Sequence, residues 1–346
     1  MIKAAIIGAT GYAGQALLRI LTEHPEVDVI HVGSRSYDGE RIDRVYPLYR
    51  DISDETCRNL SVSALAESAD VIFLALPHGI ASAQVDEAVL DKTVIIDLGA
   101  DYRLHDVNIY EKWYQVKHES PDLLSTAVYG LPELHRTEIT ETNLIANPGC
   151  YTTCSILTLA PLVKAGLIDT DSVVIDAKSG VTGAGRGETL ANHYCEVNEN
   201  IKAYKIASHR HTPEIEQELS LLGEKDMTLL FTPHLVPMNR GILSCCYAKA
   251  SADLTAEKLA DIYRDFYEGE PFVRFVGNVS PETRWVKGTN FVDIGVNVDS
   301  RTGRVIAMGA IDNLYKGAAG QAVQNMNIRF GLDERTGLNS VADFPV

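Results

Sequence analysis

The chain has 346 residues, 45% of them hydrophobic and 23% charged, a balance that suits a folded globular protein and excludes a disordered or fibrous one. Its net charge of -16 excludes nucleic acid and anionic membrane as main partners, since both would be repelled over the whole surface, although an arginine or a helix N-terminus still holds an anion locally. No apolar run reaches the ~18 residues of a membrane span, no basic leader precedes the first apolar run, and the six cysteines show no framework spacing, so a cytoplasmic protein of two domains is expected.

The first strand is predicted over residues 2–7. It runs into Gly8-Ala9-Thr10-Gly11-Tyr12-Ala13-Gly14 and then into a helical repeat over 15–21. Strand, glycine turn and helix open a dinucleotide-binding unit: Gly8 allows the tight turn, Gly11 lets the backbone approach a pyrophosphate, and Gly14 permits close packing of helix on strand. The spacing is GxxGxxG rather than GxGxxG, so the context carries more weight than the motif. A second strand, 27–32, ends in Gly33-Ser34-Arg35-Ser36, where an NAD-specific fold places a carboxylate about 20 residues beyond the motif. An arginine flanked by serines suits a 2′-phosphate, so NADP is expected; a solvated loop arginine is the plain alternative.

Alternation continues with a strand over 71–76, a helix over 80–90 and a strand over 93–97, which implies a parallel sheet with functional loops beyond its C-terminal strand ends. Pro77 and His78 follow the first of these strands. Arg103 follows the second, where it would clamp a phosphate or carboxylate or else pair with Asp101 or Asp106. Residues 105–143 are polar and rich in Tyr, Glu and turn residues, and the sheet edge resumes at 144–146. There Asn147-Pro148-Gly149 turns the chain and delivers Cys150 to the start of a helix expected over 152–165. Unpaired N–H groups and the positive end of the helix dipole lower a thiol's pKa, which makes Cys150 a candidate nucleophile; a small buried hydrophobe is the other reading.

The pattern then changes. A strand over 173–178 leads into a second glycine-rich loop, 179–187, which reads as a cover near a site or as an ordinary mobile loop. His209-Arg210-His211 precede a helix running to about residue 222, with Thr212 expected as N-cap and Pro213 and Glu214 in the first turn. Both histidines should then be presented at the helix tip. A metal pair, an acid/base partner for a thiol and plain loop decoration all stay open. Extended segments over 228–231, 242–250, 291–298 and 305–311, with one helix over 255–267, read as a largely antiparallel sheet. Cys245 and Cys246 lie adjacent on one of these strands as packing residues, and Arg240, in the turn before it, is a second anion-binding candidate. The last segment, 312–327, has small residues at helical spacing and should pack back on the first domain.

Six segments together, GATGYAG, NPGCY, KSGVTGAGR, HRHTPEI, PMNRGIL and DNLYKGAAGQAVQNMN, resemble the N-acetyl-γ-glutamyl-phosphate reductases of the aspartate-semialdehyde dehydrogenase superfamily, nearly end to end. The resemblance implies an α/β protein with an N-terminal Rossmann-type parallel-sheet domain, residues 1–149 with 313–346. A second α+β domain over 150–312, on a largely antiparallel sheet, would serve catalysis and oligomerisation. The implied reaction is NADPH-dependent reduction of N-acetyl-L-glutamyl 5-phosphate to the 5-semialdehyde through a thioester on Cys150, in arginine biosynthesis. His211 is expected to be the proton donor, ahead of His209, with Glu214 as an orienting group. Arg103, Asn147 and Arg240 are the expected substrate contacts. Cofactor contacts are expected from Gly8, Thr10, Gly11, Tyr12, Ala13 and Gly14, from Ser34 and Arg35, and from Pro77, Gly180 and Asn313. A homo-oligomer without metal is expected. Reductases of a carrier-bound aminoadipyl phosphate or of aspartyl phosphate are the near alternatives. An acidic enzyme would repel an acidic carrier, and HRHTPEI points away from aspartyl phosphate. A non-catalytic NADP-binding sensor would have no use for the cysteine and two histidines.

Overall fold

The computed structural model describes residues 1–251, 254–338 and 341–344. The chain divides into two compact units: Met1–Pro148 with Ala318–Leu338, and Gly149–Gly317 with the C-terminal tail.

In the first unit, β1 (Ile2–Ile7), β2 (Val27–Gly33), β3 (Val71–Leu74), β4 (Val94–Asp97), β5 (Val128–Tyr129) and β6 (Leu144–Ala146) form one sheet in the order β2-β1-β3-β4-β6-β5. Every pair is parallel. β3 and β4 are buried along their whole length, as expected where both faces are covered, which is why they read as unbroken apolar runs. The register aligns Gly33, Ile7, Leu74, Asp97, Ala146 and Tyr129 in one row. From that row, the C-terminal edge of the sheet, leave the loops that carry Gly8, Ser34, Pro77, Arg103 and Asn147.

Two expectations change in this unit and a third where the chain returns to it. The helix expected over 80–90 is a 3-10 turn, Ala81–Ala83, followed by a short helix, Glu87–Leu90. The break falls at Asp86, whose extended backbone and carboxylate, accepting the Val89 N–H at 2.9 Å, start a new helix. The polar stretch 105–143 holds helices Val107–Tyr114 and Pro132–Glu141 and the edge strand β5. The first of these helices buries tyrosines, Tyr110 stacking on Tyr114 at 4.9 Å, a face that hydropathy does not mark as apolar. The terminal segment is a π-turn, Tyr315–Ala319, and then a helix, Gly320–Arg329, buried from Gly320 to Ile328 even at Gln321, Gln324, Asn325 and Asn327.

In the second unit, β7 (Val174–Ser179), β8 (Lys202–Ala203), β9 (Leu230–Leu235), β10 (Ile242–Lys249), β11 (Val273–Phe275), β12 (Val292–Asp299) and β13 (Arg304–Ile311) form a sheet in the order β11-β12-β13-β10-β7-β9-β8. β7–β9 and β11–β12 are parallel and the remaining pairs antiparallel. Burial alternates along β7, β10 and β13, so Ile175, Ala177, Cys246, Ala248, Val305 and Ala307 face inward while Asp176, Cys245, Tyr247, Ile306 and Met308 are partly exposed. Helix Cys150–Lys164 lies on the inward face. Ser155 Oγ and Ser244 Oγ meet at 2.9 Å across that contact, and Tyr263 and Tyr267 donate to the Thr158 and Leu157 carbonyls.

Candidate active site

The turn after β1 closes through the Gly8 and Ala9 N–H groups, which donate to Gly33 O at 3.0 and 2.9 Å. Gly8 has φ +88°, and a Cβ there would lie 2.3 Å from Ala75 O; a Cβ at Gly14 would lie 2.2 Å from Gly8 O. Neither position accepts a side chain. Gly11 N-caps helix Tyr12–Thr22 without a capping side chain, and no acidic residue stands in the first turn. The N–H groups of Tyr12, Ala13 and Gly14 therefore point out of the helix end, which is the arrangement a pyrophosphate requires. Thr10 Oγ1 and Ser34 Oγ are 2.8 Å apart, and Tyr46 OH donates to Thr10 O, which fixes the mouth of the turn. Arg35 is exposed beside Ser34, and the first carboxylate after β2 is Asp38, which accepts the Asn59 N–H. Pro77 is exposed just past β3. These residues fit a dinucleotide carrying a 2′-phosphate.

Arg103 and Asn147 occupy the same sheet edge but are buried. Arg103 Nε donates to Asn147 O at 2.8 Å and its Nη2 to Leu98 O at 2.9 Å. Asp101 is held elsewhere, accepting the Gly79 and Ser82 N–H groups and the Tyr110 hydroxyl. Asp97 is fully buried, and burial, reinforced by the charge of Asp101, pushes its carboxyl up to about 7. Asn147 uses both ends of its amide within the unit, donating to Ala318 O and accepting from Asn325 Nδ2, each at 3.1 Å. Expected from sequence as a substrate contact, it is an anchor within this unit.

In the second unit Cys150 is the first residue of its helix, two positions earlier than expected. Gly149 is an extended N-cap with no capping side chain, and Cys150 is partly exposed where Tyr151 to Val163 are buried. The thiol thus stands in the first turn, where the dipole favours its anion. Glu214, fully buried, reaches this turn from helix Thr212–Gly223: its Oε1 accepts the Gly149 N–H at 2.9 Å and the Thr152 hydroxyl at 2.8 Å. Behind the nucleophile the chain is bare, because a Cβ at Gly317 would lie 2.8 Å from Cys150 Cβ.

His211, not Thr212, is the N-cap residue of the following helix, with no side-chain cap. His209 is not presented at the helix tip; it is only 8% exposed. The rings of Tyr151, Tyr204, Phe231 and His211 enclose it at centroid distances of 5.6, 5.5, 5.3 and 4.8 Å, all roughly edge-on. Its Nδ1 accepts the His211 N–H at 3.2 Å, which leaves Nε2 to carry the proton. Burial pushes its pKa down to about 2, helped by His211, Lys205 and Arg210, so the ring is neutral. Tyr204 OH donates to Tyr151 OH at 3.3 Å and Tyr151 OH to His234 O at 3.1 Å, which fixes two walls of the enclosure.

Arg240 is held by the buried Asp312, Nε to Oδ1 at 3.2 Å and Nη2 to Oδ2 at 2.7 Å. Asn313 Oδ1 accepts the Gly241 N–H at 2.7 Å and its Nδ2 donates to Thr182 Oγ1 at 2.9 Å. Gly180 is buried against this turn, where a Cβ would lie 2.7 Å from Asn239 O. Gly180 and Asn313, expected as cofactor contacts, fasten the glycine loop to the Arg240 turn. Among the described residues no group of three His, Cys, Asp or Glu is placed to hold a metal. Asp312, Tyr204 and Asn325 were not legible in the sequence as the partners of Arg240, Tyr151 and Asn147; the one signal for Asn325 was a polar helix with no solvent-facing period.

Residues 3–142 match the family described as semialdehyde dehydrogenase, NAD binding domain, and residues 150–313 match semialdehyde dehydrogenase, dimerisation domain. The chain is 54% identical over 346 residues to an N-acetyl-gamma-glutamyl-phosphate reductase of Lachnoclostridium phytofermentans, covering 100% of both. It is 53% identical over 345 residues to that of Pelotomaculum thermopropionicum, covering 99% of both. Among solved structures it is similar to aspartate semialdehyde dehydrogenase II complexed with ASA from Vibrio cholerae, with TM-score 0.72 and 20% identity over 96% of this chain and 98% of that one. The Candida albicans aspartate semialdehyde dehydrogenase with NADP gives TM-score 0.70 and 17% identity over 95% and 98%. These two likenesses establish a shared fold.

Proposed function

The chain belongs to the N-acetyl-γ-glutamyl-phosphate reductases of the semialdehyde dehydrogenase family, and on that premise we propose how its residues reduce N-acetyl-L-glutamyl 5-phosphate to N-acetyl-L-glutamate 5-semialdehyde and phosphate in arginine biosynthesis. The Cys150 thiolate attacks the acyl carbon, the carbon–oxygen bond to the phosphoryl group breaks, and phosphate leaves with the electron pair, giving a thioester. The N–H groups of the Gly11–Gly14 turn would hold the pyrophosphate of NADPH, with Ser34 and Arg35 for its 2′-phosphate, and the bound cofactor would supply the hydride that takes this thioester to the aldehyde level. Neutral His209 donates from Nε2 to the oxygen that becomes negative in each tetrahedral species. Collapse of the second of these expels the Cys150 thiolate and releases the semialdehyde. This order places His209 ahead of His211, the reverse of the expectation from sequence, because His211 supplies the N–H that orients the other ring. Glu214 orients the cysteine helix, and Arg103 and Arg240 are the cations for the substrate's anionic groups.

The observation that carries the reading is the partly exposed thiol at the first position of a helix whose N-cap has no capping side chain, next in sequence to Tyr151, whose ring packs edge-on against His209 at 5.6 Å. Oxidation of N-acetylglutamate semialdehyde by NADP should require phosphate, should exceed that of the non-acetylated semialdehyde, and should vanish in Cys150→Ala and after iodoacetamide. Full activity in Cys150→Ala would rule out the thioester route. The same reading makes the chain a cytoplasmic homo-oligomer, supported by six cysteines without a disulfide and by the partly exposed outward face at Tyr247, Ile306 and Met308. Light scattering on Ile306→Glu, expected to give a smaller species, tests the assembly.

A further inference from the structure

We infer that Asn325 is a positioning residue for Cys150, acting through Asn147; the inference rests on the thioester route proposed above. Asn147 is held on each of its polar groups. Its N–H donates to Asp97 O at 2.9 Å, its carbonyl accepts from Arg103 Nε at 2.8 Å, its Nδ2 donates to Ala318 O at 3.1 Å and its Oδ1 accepts from Asn325 Nδ2 at 3.1 Å. Only Pro148, with its fixed φ, and Gly149 separate this anchored residue from the nucleophile. The chain thus starts toward Cys150 from an anchored residue, and Glu214 Oε1 holds the next N–H, that of Gly149, at 2.9 Å.

Among the four partners Asn325 is the one whose presence packing does not explain. It is fully buried, and its Nδ2 bridges Gly130 O at 2.8 Å and Asn147 Oδ1 at 3.1 Å. Both partners are acceptors, so the amide faces one way only, and its own Oδ1 is left without a hydrogen-bond donor among the described residues. The neighbouring position is shaped to match, since a Cβ at Gly130 would lie 2.5 Å from that Nδ2. A buried amide with an unmet oxygen is a poor way to fill a core. A glycine, an asparagine and a second asparagine interlocked at one point make sense where the orientation of residue 147 matters more than the packing around it.

The test uses the full chain with the isosteric Asn325→Asp, which removes the donor and keeps the shape, and Asn325→Ser, which shortens the side chain. Iodoacetamide labelling read by mass spectrometry follows Cys150 and the exposed Cys195 in one sample, so that Cys195 calibrates each reaction. Between about pH 6 and 9 the Cys150 rate should fall about tenfold relative to Cys195 and its titration midpoint should rise. kcat should fall by a similar factor while KM for NADPH stays unchanged. An unchanged Cys150 to Cys195 ratio with unchanged kcat, even alongside a lower Tm, would overturn the inference. If Asn325→Asp does not fold, Asn325→Ser decides by the same ratio. Failure of the thioester reading shows separately, as activity surviving in Cys150→Ala.

Discussion

At His209 burial does two things: it fixes the ring among aromatic neighbours and it keeps the ring neutral. The unfolded imidazole takes a proton near its ordinary value of 6.5, whereas the folded one resists it down to about 2, so between those values the unfolded state binds more protons. The stabilisation is fully present above the ordinary value and is lost as pH falls through the window. His24 and His31 are also pushed down, chiefly by burial, and add to the same slope. The Tm of His209→Gln should accordingly decline less between pH 6.5 and 4 than that of the parent. In kinetics, His209→Gln should lower kcat about 100-fold and His211→Gln clearly less; a larger loss at His211 would restore the order expected from sequence. Asp97 has the opposite sign. Its folded value is raised from 3.8 to about 7, so its stabilisation is present below 3.8 and lost as pH rises through neutrality. Asp97→Asn should raise Tm relative to the parent at pH above 7 and not at acid pH.

At the scale of elements, the cofactor turn was legible because its constraint is local: Gly8 and Gly14 are demanded by backbone within a few ångströms. Gly14→Ala would force the helix Tyr12–Thr22 off the strand, since the added carbon meets Gly8 O at 2.2 Å, and NADPH binding by fluorescence titration should be lost. Arg35→Ser should raise KM for NADPH about 10- to 100-fold and leave NADH nearly unchanged, the scale of one charge-assisted phosphate contact. The parallel first sheet and the delivery of Cys150 to a helix start, though not that helix's first residue, were also within reach of pattern alone. The surroundings of His209 were not, because Tyr204 follows β8 and Phe231 lies in β9, and no local spacing announces their meeting. The partners of Arg240 and Asn313 stayed hidden for a related reason. Each looks free beside a turn, and only the fold reveals Asp312 and Thr182 as their partners. Helix Gly320–Arg329 hid its role by burying amides where periodicity looks for aliphatic residues.

For the whole molecule, net charge and substrate conflict. A chain of charge -16 takes an anionic acyl phosphate, so its long-range field opposes encounter and only local arginines and helix ends attract it. kcat/KM for the acyl phosphate should therefore rise with added salt up to ~0.15 M, where the screening length falls to ~8 Å. A flat or falling profile would show that local cations dominate the field.

The first unit is made of two separated stretches of chain, and synthesis on the ribosome takes them in order. Asn147 and Gly130 emerge with their sheet, but the amide that joins them at residue 325 follows 178 positions after Asn147. At ordinary translation rates that is a delay on the order of ten seconds or more. The second unit, continuous over residues 149–317 apart from its tail, is finished first. The anchor of Asn147 is thus closed only when the last helix docks within the first unit, after residues 149–317 of the second have been made. Completion of the nucleotide-binding unit would then be timed by the C-terminus.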